Sequence, residues 1–487
     1  MVKDAEKRAS IDLSLRHPVM FFFTSGAAWL AVALLLGIIS SVKMHSPEFL
    51  DGCGWLNAGR VQPAHMLSLI YGWGVQAALG TTVWLMARLS RQECRAAGTI
   101  LLAGHLWNLG VGLGVLGVLA GYGTGVPWME FPVFVWPVLL FSYILVTVWS
   151  IIQFRVREGG HIYISQWYLL GSILWFPWIY LTANALIFVF PGNGLFGSAI
   201  NAWFRSGLIY LYFIPVAVAA AYYLAPKVSG RPVYSYSLAL LGFWSLALIM
   251  PWAGMQKLMG APIPVFLTTY GAAATVLFLI PAVAVGVNIL KTLSFNSEVM
   301  KNSPSLRFTS AGIVALLAFG VLGLASNTIS SLRLTQFSIA NYGMEILALY
   351  GVFSLCIFGA IYFIVPRITR REWLSSRFIK MHFIFSVYGV ICVALFAIFG
   401  GFQQGLGQEE FLDNWKNAAT RANPYFVGIT ISLIFVLIAN LFFFLHLTLM
   451  WLRLGRRSTH PTLLIDDHGD STEFTAREQA EPQPQTA

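Results

Sequence analysis

Twelve segments of this chain are apolar over lengths that a membrane accounts for most simply. Crossing the hydrocarbon core as a helix takes about 20 apolar residues, and a crossing backbone must satisfy its own polar groups. The segments lie near residues 19–42, 62–89, 98–121, 131–153, 166–190, 200–225, 236–255, 264–290, 308–330, 340–366, 378–402 and 425–452. They are too long for transmembrane strands of roughly 10 residues. The expected fold class is therefore an all-α integral membrane protein with twelve transmembrane helices. Only 10% of the 487 residues are charged, against about 25% in soluble proteins.

The basic residues test this map independently. With connections numbered alternately, one side receives 23 of the 30 Lys and Arg residues, among them Arg16, Arg88, Arg157, Lys227, Arg307, Arg367, Arg371 and Arg457. The other side holds Lys43, Arg60, Arg205, Lys257, Arg333, Lys416 and Arg421. Cytoplasmic loops carry the Lys and Arg excess, so both termini are expected in the cytoplasm. An odd number of spans would destroy the segregation. The net charge of +10 thus reports topology and a lipid bilayer partner, with no nucleic acid expected.

Residues 1–18 read as a cytoplasmic N-terminal segment, 19–452 as one membrane domain and 453–487 as a polar, disordered cytoplasmic tail. No cleavable signal is expected, because the first apolar segment is too long and lacks a small-residue cleavage site. The four cysteines are scattered, form no CxxC pair and read as free buried thiols. Gly110-Val-Gly112-Leu-Gly114 lies inside a span, where small residues let helices approach; nucleotide binding is not expected there. The aromatic residues fit interfacial belts and helix packing. His161, His382 and His460 fall on the basic side and read as solvated or headgroup-facing, whereas His105 and His446 read as hydrogen-bonded interior residues.

A set of motifs then narrows the class. Arg231-Pro-Val-Tyr-Ser-Tyr236 follows Tyr222-Tyr223-x-x-Pro226-Lys227 and precedes Phe243-Trp244. His161-Ile-Tyr163 with Trp167, Glu130-Phe-Pro132, Trp252-Ala-Gly254 and Phe358-Gly-Ala-x-Tyr362-x-x-Pro366-Arg367 fall in order with them. In these residues the chain resembles subunit I of cbb3-type cytochrome c oxidases, the C-type members of the haem–copper oxidase family, over about four-fifths of its length. The resemblance implies a haem–copper oxidase subunit I-like bundle in a bacterial cytoplasmic (inner) membrane, working in aerobic respiration beside a membrane-anchored cytochrome c subunit. It also implies a low-spin haem b, a high-spin haem and a copper ion, held by histidines near the outer ends of spans two, six, seven and ten.

Those histidines are mostly missing. Pro63-Ala-His65 matches the span-two motif, which makes His65 the candidate axial ligand of one haem b. The copper-ligand positions hold Ser206, Gln256 and Lys257, the active-site tyrosine position holds Met250, and the two haem ligands of span ten fall on Met344 and Ile346. Ser and Gln are poor copper ligands, and a lysine ammonium is a cation unless strongly desolvated. Copper is therefore not expected, and no catalytic residue is assigned. His65 reads either as a retained haem ligand or as a structural histidine bonded to a neighbouring helix. Charges inside a membrane domain seek partners, so Arg205 or Lys257 is expected to pair with Glu345 in the former metal cavity. Alternatively, the two cations snorkel to the interface.

Three functions remain at this point. The chain is a catalytically degenerate scaffold or electron-transfer subunit; or a functional terminal oxidase subunit that reduces oxygen with proton translocation; or a transporter or channel reusing the bundle. Whether it is an enzyme at all stays open.

Overall fold

In a computed structural model, described for residues 2–192, 194–294, 299, 302–410, 415–457, 464–465 and 471–472, the chain is a bundle of helices. A short helix α1 (Val2–Ser14) leads into α2 (Arg16–His45). The run called α3 here is continuous through Ala58–Leu67, Ser68–Val75 and Gln76–Ser90. It is followed by α4 (Ala97–Ala120), α5 (Val135–Arg155), α6 (Ile164–Val189), α7 (Gly194–Ser229), α8 (Tyr236–Leu258) and α9 (Val265–Leu293). The chain continues through α10 (Pro304–Ser326), the short α11 (Ile329–Thr335), α12 (Ala340–Thr369), α13 (Ser376–Glu410) and α14 (Trp415–Trp451). Among the described residues, eleven helices are long and apolar enough to cross a membrane. The remaining expected span is α3, whose middle carries Gln76, Thr81 and Thr82 and is less apolar.

Burial sorts these helices into a centre and a rim. In α12 the most apolar stretch is buried completely, in α7 it is 94% buried, and in most other spans about half or less of it is. Helix α3 is buried from Ala64 through Ala87. A helix apolar on all sides belongs in a core or in lipid, and these three occupy the core. Around them α2 packs on α14, α4 on α5, α9 on α10 and α13 on α14. Close approach depends on glycine. A Cβ on Gly312 would lie 2.5 Å from the Cys356 sulfur, and one on Gly114 would lie 2.3 Å from the Phe131 ring.

Three features depart from expectation. His382, read as solvated or headgroup-facing, is buried: its Nδ1 lies 2.8 Å from the Tyr362 hydroxyl, and its ring stacks on Phe443. The basic end of α13 sets its depth in the membrane, but its helical face turns it inward. Of the cysteines, only Cys356 is buried, Cys53 is exposed and Cys94 and Cys392 are half-buried; all four are free. Burial pushes the Cys94 thiol, in the loop before α4, up to about 12. His460 and most of the expected tail lie outside the described residues; Leu464–Ile465 and Ser471–Thr472 pair as antiparallel strands β1 and β2.

The N-terminal segment is also more than a polar leader. Asp12 of α1 is buried, accepting from Trp84 Nε1 at 3.0 Å and from Arg88 Nη1 at 3.2 Å. This clamps α1 across the inner end of α3. Removing one partner of a buried pair costs about 3–5 kcal/mol. Asp12→Ala should accordingly lower the unfolding midpoint of the solubilised chain and expose residues 2–14 to protease. An unchanged midpoint with intact protection would show that the clamp contributes nothing.

Candidate functional site

The candidate site lies where α3, α7, α8 and α12 end on the face opposite the basic loops. Each of the three central helices changes pitch there. The stretches Ser68–Val75, Leu208–Phe213 and Leu347–Ser354 are π-helical. They begin just after His65, Ser206 and Ile346, three of the positions at which the resemblance places metal or haem ligands. A π-turn adds a residue per turn and re-aims the side chains beside it, which is why such turns gather at functional sites. The backbone device is thus present at all three positions, although two of them carry no histidine.

Helix α8 reaches the site through a tight reversal. Gly254 has φ +117°, and a Cβ there would lie 2.5 Å from the Ala202 carbonyl oxygen and 2.9 Å from Ser206 Oγ. Only glycine fits both the conformation and the contact. The turn brings Gln256 and Lys257 back against α7. Gln256 is buried and fully engaged: its Oε1 accepts from Gly254 N, and its Nε2 donates to Thr275 Oγ1, both at 2.8 Å. Gln336, beyond α11, donates to the carbonyls of Lys257 and Met259 at 3.0 Å and holds the reversal in place.

The charged residues meet at this point. Arg205 donates through Nη2 to Oε1 of Glu345, and Lys257 Nζ lies 3.8 Å from the same oxygen. The Arg205 guanidinium also covers the Trp128 ring at 5.3 Å, a cation–π arrangement. Its Nε is buried with no hydrogen-bond partner. Glu345 itself is only 5% exposed. Met250 is buried, and Met344 lines a cavity of about 140 Å³ together with Ser206, Gln256 and Glu345. Among the described residues, no group of three or more His, Cys, Asp or Glu side chains is placed to hold a metal ion.

His65 is buried beneath this cluster. Its Nδ1 lies 2.7 Å from the Ala33 carbonyl oxygen, so Nδ1–H donates and Nε2 keeps the lone pair. That posture also suits a metal-ligating histidine. Nε2, however, lies 3.2 Å from the Tyr342 hydroxyl, and two metal bonds of about 2 Å would not fit in that gap. Tyr342 stands one turn before Ile346 on α12, and Ile346 has no donor atom. The residues as arranged do not fit a six-coordinate haem. Tyr342 carries no signal in the sequence, because its contact with His65 depends on how α12 is rotated against α3.

Glu130, outside the spans between α4 and α5, adds a further charge. Burial pushes its carboxyl up to about 7, with its own and the Trp128 backbone N–H and Arg205 opposing the rise. A raised carboxyl pKa means that the folded state holds the proton more tightly. That contribution to stability is complete below about pH 4.5 and is lost as pH rises through about 7, amounting to roughly 3 kcal/mol. Glu130→Gln should match the wild type in stability near pH 4.5 and exceed it above pH 7. Parallel stability curves across that range would contradict the assignment.

Comparison with known proteins follows this geometry. Residues 17–435 match the family model described as Cytochrome C and Quinol oxidase polypeptide I. The chain is 26% identical over 404 residues to a cytochrome c oxidase subunit 1 homolog of Azorhizobium caulinodans, covering 78% of this chain and 70% of that protein. It is 24% identical over 394 residues to the Cbb3-type cytochrome c oxidase subunit CcoN1 of Stutzerimonas stutzeri, covering 78% and 81%. A bacteroid subunit 1 homolog of Bradyrhizobium diazoefficiens is 25% identical over 412 residues, covering 80% and 72%. The chain belongs to the cytochrome c and quinol oxidase polypeptide I family, the membrane-embedded, haem-binding subunit I of respiratory oxidases.

Proposed function

We propose that this chain is a catalytically degenerate subunit I, a respiratory membrane scaffold for a membrane-anchored cytochrome c that does not itself reduce oxygen. One observation carries the reading: a fixed ammonium and guanidinium share Glu345 where copper ligation would require neutral imidazoles. Lys257 occupies a copper-ligand position and lies 3.8 Å from Glu345, and Arg205 directly precedes another such position. Cations there repel a metal ion, and Gln256 has both amide atoms committed elsewhere. The charge segregation supports twelve spans with both termini in the cytoplasm, and the bacterial relatives favour a location in the inner membrane.

A second reading, electron transfer through one haem b, draws on the Nδ1 anchor of His65 to Ala33. The short contact to Tyr342 and the apolar Ile346 favour the scaffold. Few ionisable residues line the span interiors, which counts against a transporter, since a proton relay needs a chain of them.

Haem extraction, copper analysis and a reduced-minus-oxidised spectrum of the purified chain test these readings together. The scaffold reading expects no bound copper, no low-spin haem signal and a c-type cytochrome that co-purifies. A single haem b lost in His65→Ala would establish the electron-transfer reading instead. Two haems and one copper per chain would overturn both.

A further inference from the structure

The cluster of Arg205, Lys257 and Glu345 separates two cavities. The inner one, of about 140 Å³, contains Glu345. The outer one, of about 490 Å³, opens on the face opposite the basic loops; its lining includes Arg205 and Lys257 and, among the described residues, no carboxylate. Lys257, Leu332 and Asn341 line both. Glu345 therefore faces the smaller cavity, Arg205 the larger one and Lys257 both.

We propose that the outer cavity binds a small oxyanion, a carboxylate or phosphate group, held between Arg205 and Lys257. Two observations converge on this. Arg205 and Lys257 both line the outer cavity, whereas the carboxylate they share does not, so its wall is positive in a partly enclosed, low-dielectric site where a charge seeks a partner. The rest of the wall joins apolar Ile187 and Leu332 to polar Ser198 and Asn341, a mixed lining that suits an organic body attached to the anionic group. The oxyanion belongs either to a soluble metabolite or to a lipid headgroup, which share this chemistry.

The test uses the full chain in nanodiscs of phosphatidylcholine, with sodium phosphate and sodium succinate titrated at ionic strength matched by sodium chloride. The readouts are the thermal midpoint and calorimetric binding. A parallel series replaces part of the lipid with phosphatidylglycerol. Two variants accompany the wild type. Lys257→Gln removes one cation and should weaken binding about tenfold or more. Gly197→Phe fills the cavity from a position where an added Cβ meets open space, leaves the charged cluster intact and should abolish binding. It also decides the matter alone if Lys257→Gln fails to fold. Saturable binding of phosphate or succinate that both variants impair supports a soluble ligand. Stabilisation by phosphatidylglycerol alone, likewise lost in the variants, supports a headgroup. No saturable effect of any probe, or equal effects in the wild type and Gly197→Phe, overturns the proposal.

Discussion

A carboxylate buried in a lipid-embedded bundle persists only beside cations, and Glu345 has two. That requirement organises the outer half of the molecule. It draws Arg205 on α7 and Lys257 on α8 toward α12, and the glycine reversal at Gly254 lets α8 bend back far enough to deliver its lysine. Coulombic attraction is strong at low effective dielectric, but the desolvation of three charges opposes it. The cluster is therefore better understood as fixing one arrangement of three helix ends than as a large source of stability. Breaking it would be costly because the surviving charges would remain buried.

Much of this was legible in the sequence. Apolar length located the helices, since a membrane-spanning strand is only about half as long, and ordered motifs located the family. The residue types at Ser206, Gln256 and Lys257 differ from the histidines that the resemblance implies, a difference of side-chain chemistry that can be read directly. Other features depended on geometry that sequence does not encode locally. The π-turns after His65, Ser206 and Ile346 have no compositional signature. Tyr342 is an ordinary aromatic until α12 is rotated against α3 and its hydroxyl meets His65. For His382 the neighbouring charges indicate membrane depth, whereas burial follows from the face that meets Tyr362 and Phe443. Asp12 carries no such signal either, because a polar N-terminal segment gives no indication of which helix it crosses.

Close-packed glycines and π-turns shape the positions at which the resemblance places haem and metal ligands, and changing them would disturb packing throughout the centre. The side chains at those positions face one another across short distances, so a hydrogen bond and an ion cluster can satisfy what metal ligation otherwise would. Packing thus sets the backbone at the centre of the bundle independently of the side-chain chemistry placed there.

The most direct test of that claim is an experimental density map of the chain purified from its own membrane, resolved well enough to place side chains at the outer ends of α3, α7, α8 and α12. The account predicts continuous density from Arg205 to Glu345, with Lys257 beside it, and the Tyr342 hydroxyl within hydrogen-bonding distance of His65. Planar porphyrin density against His65, or a metal ion between Ser206 and Lys257, would contradict it.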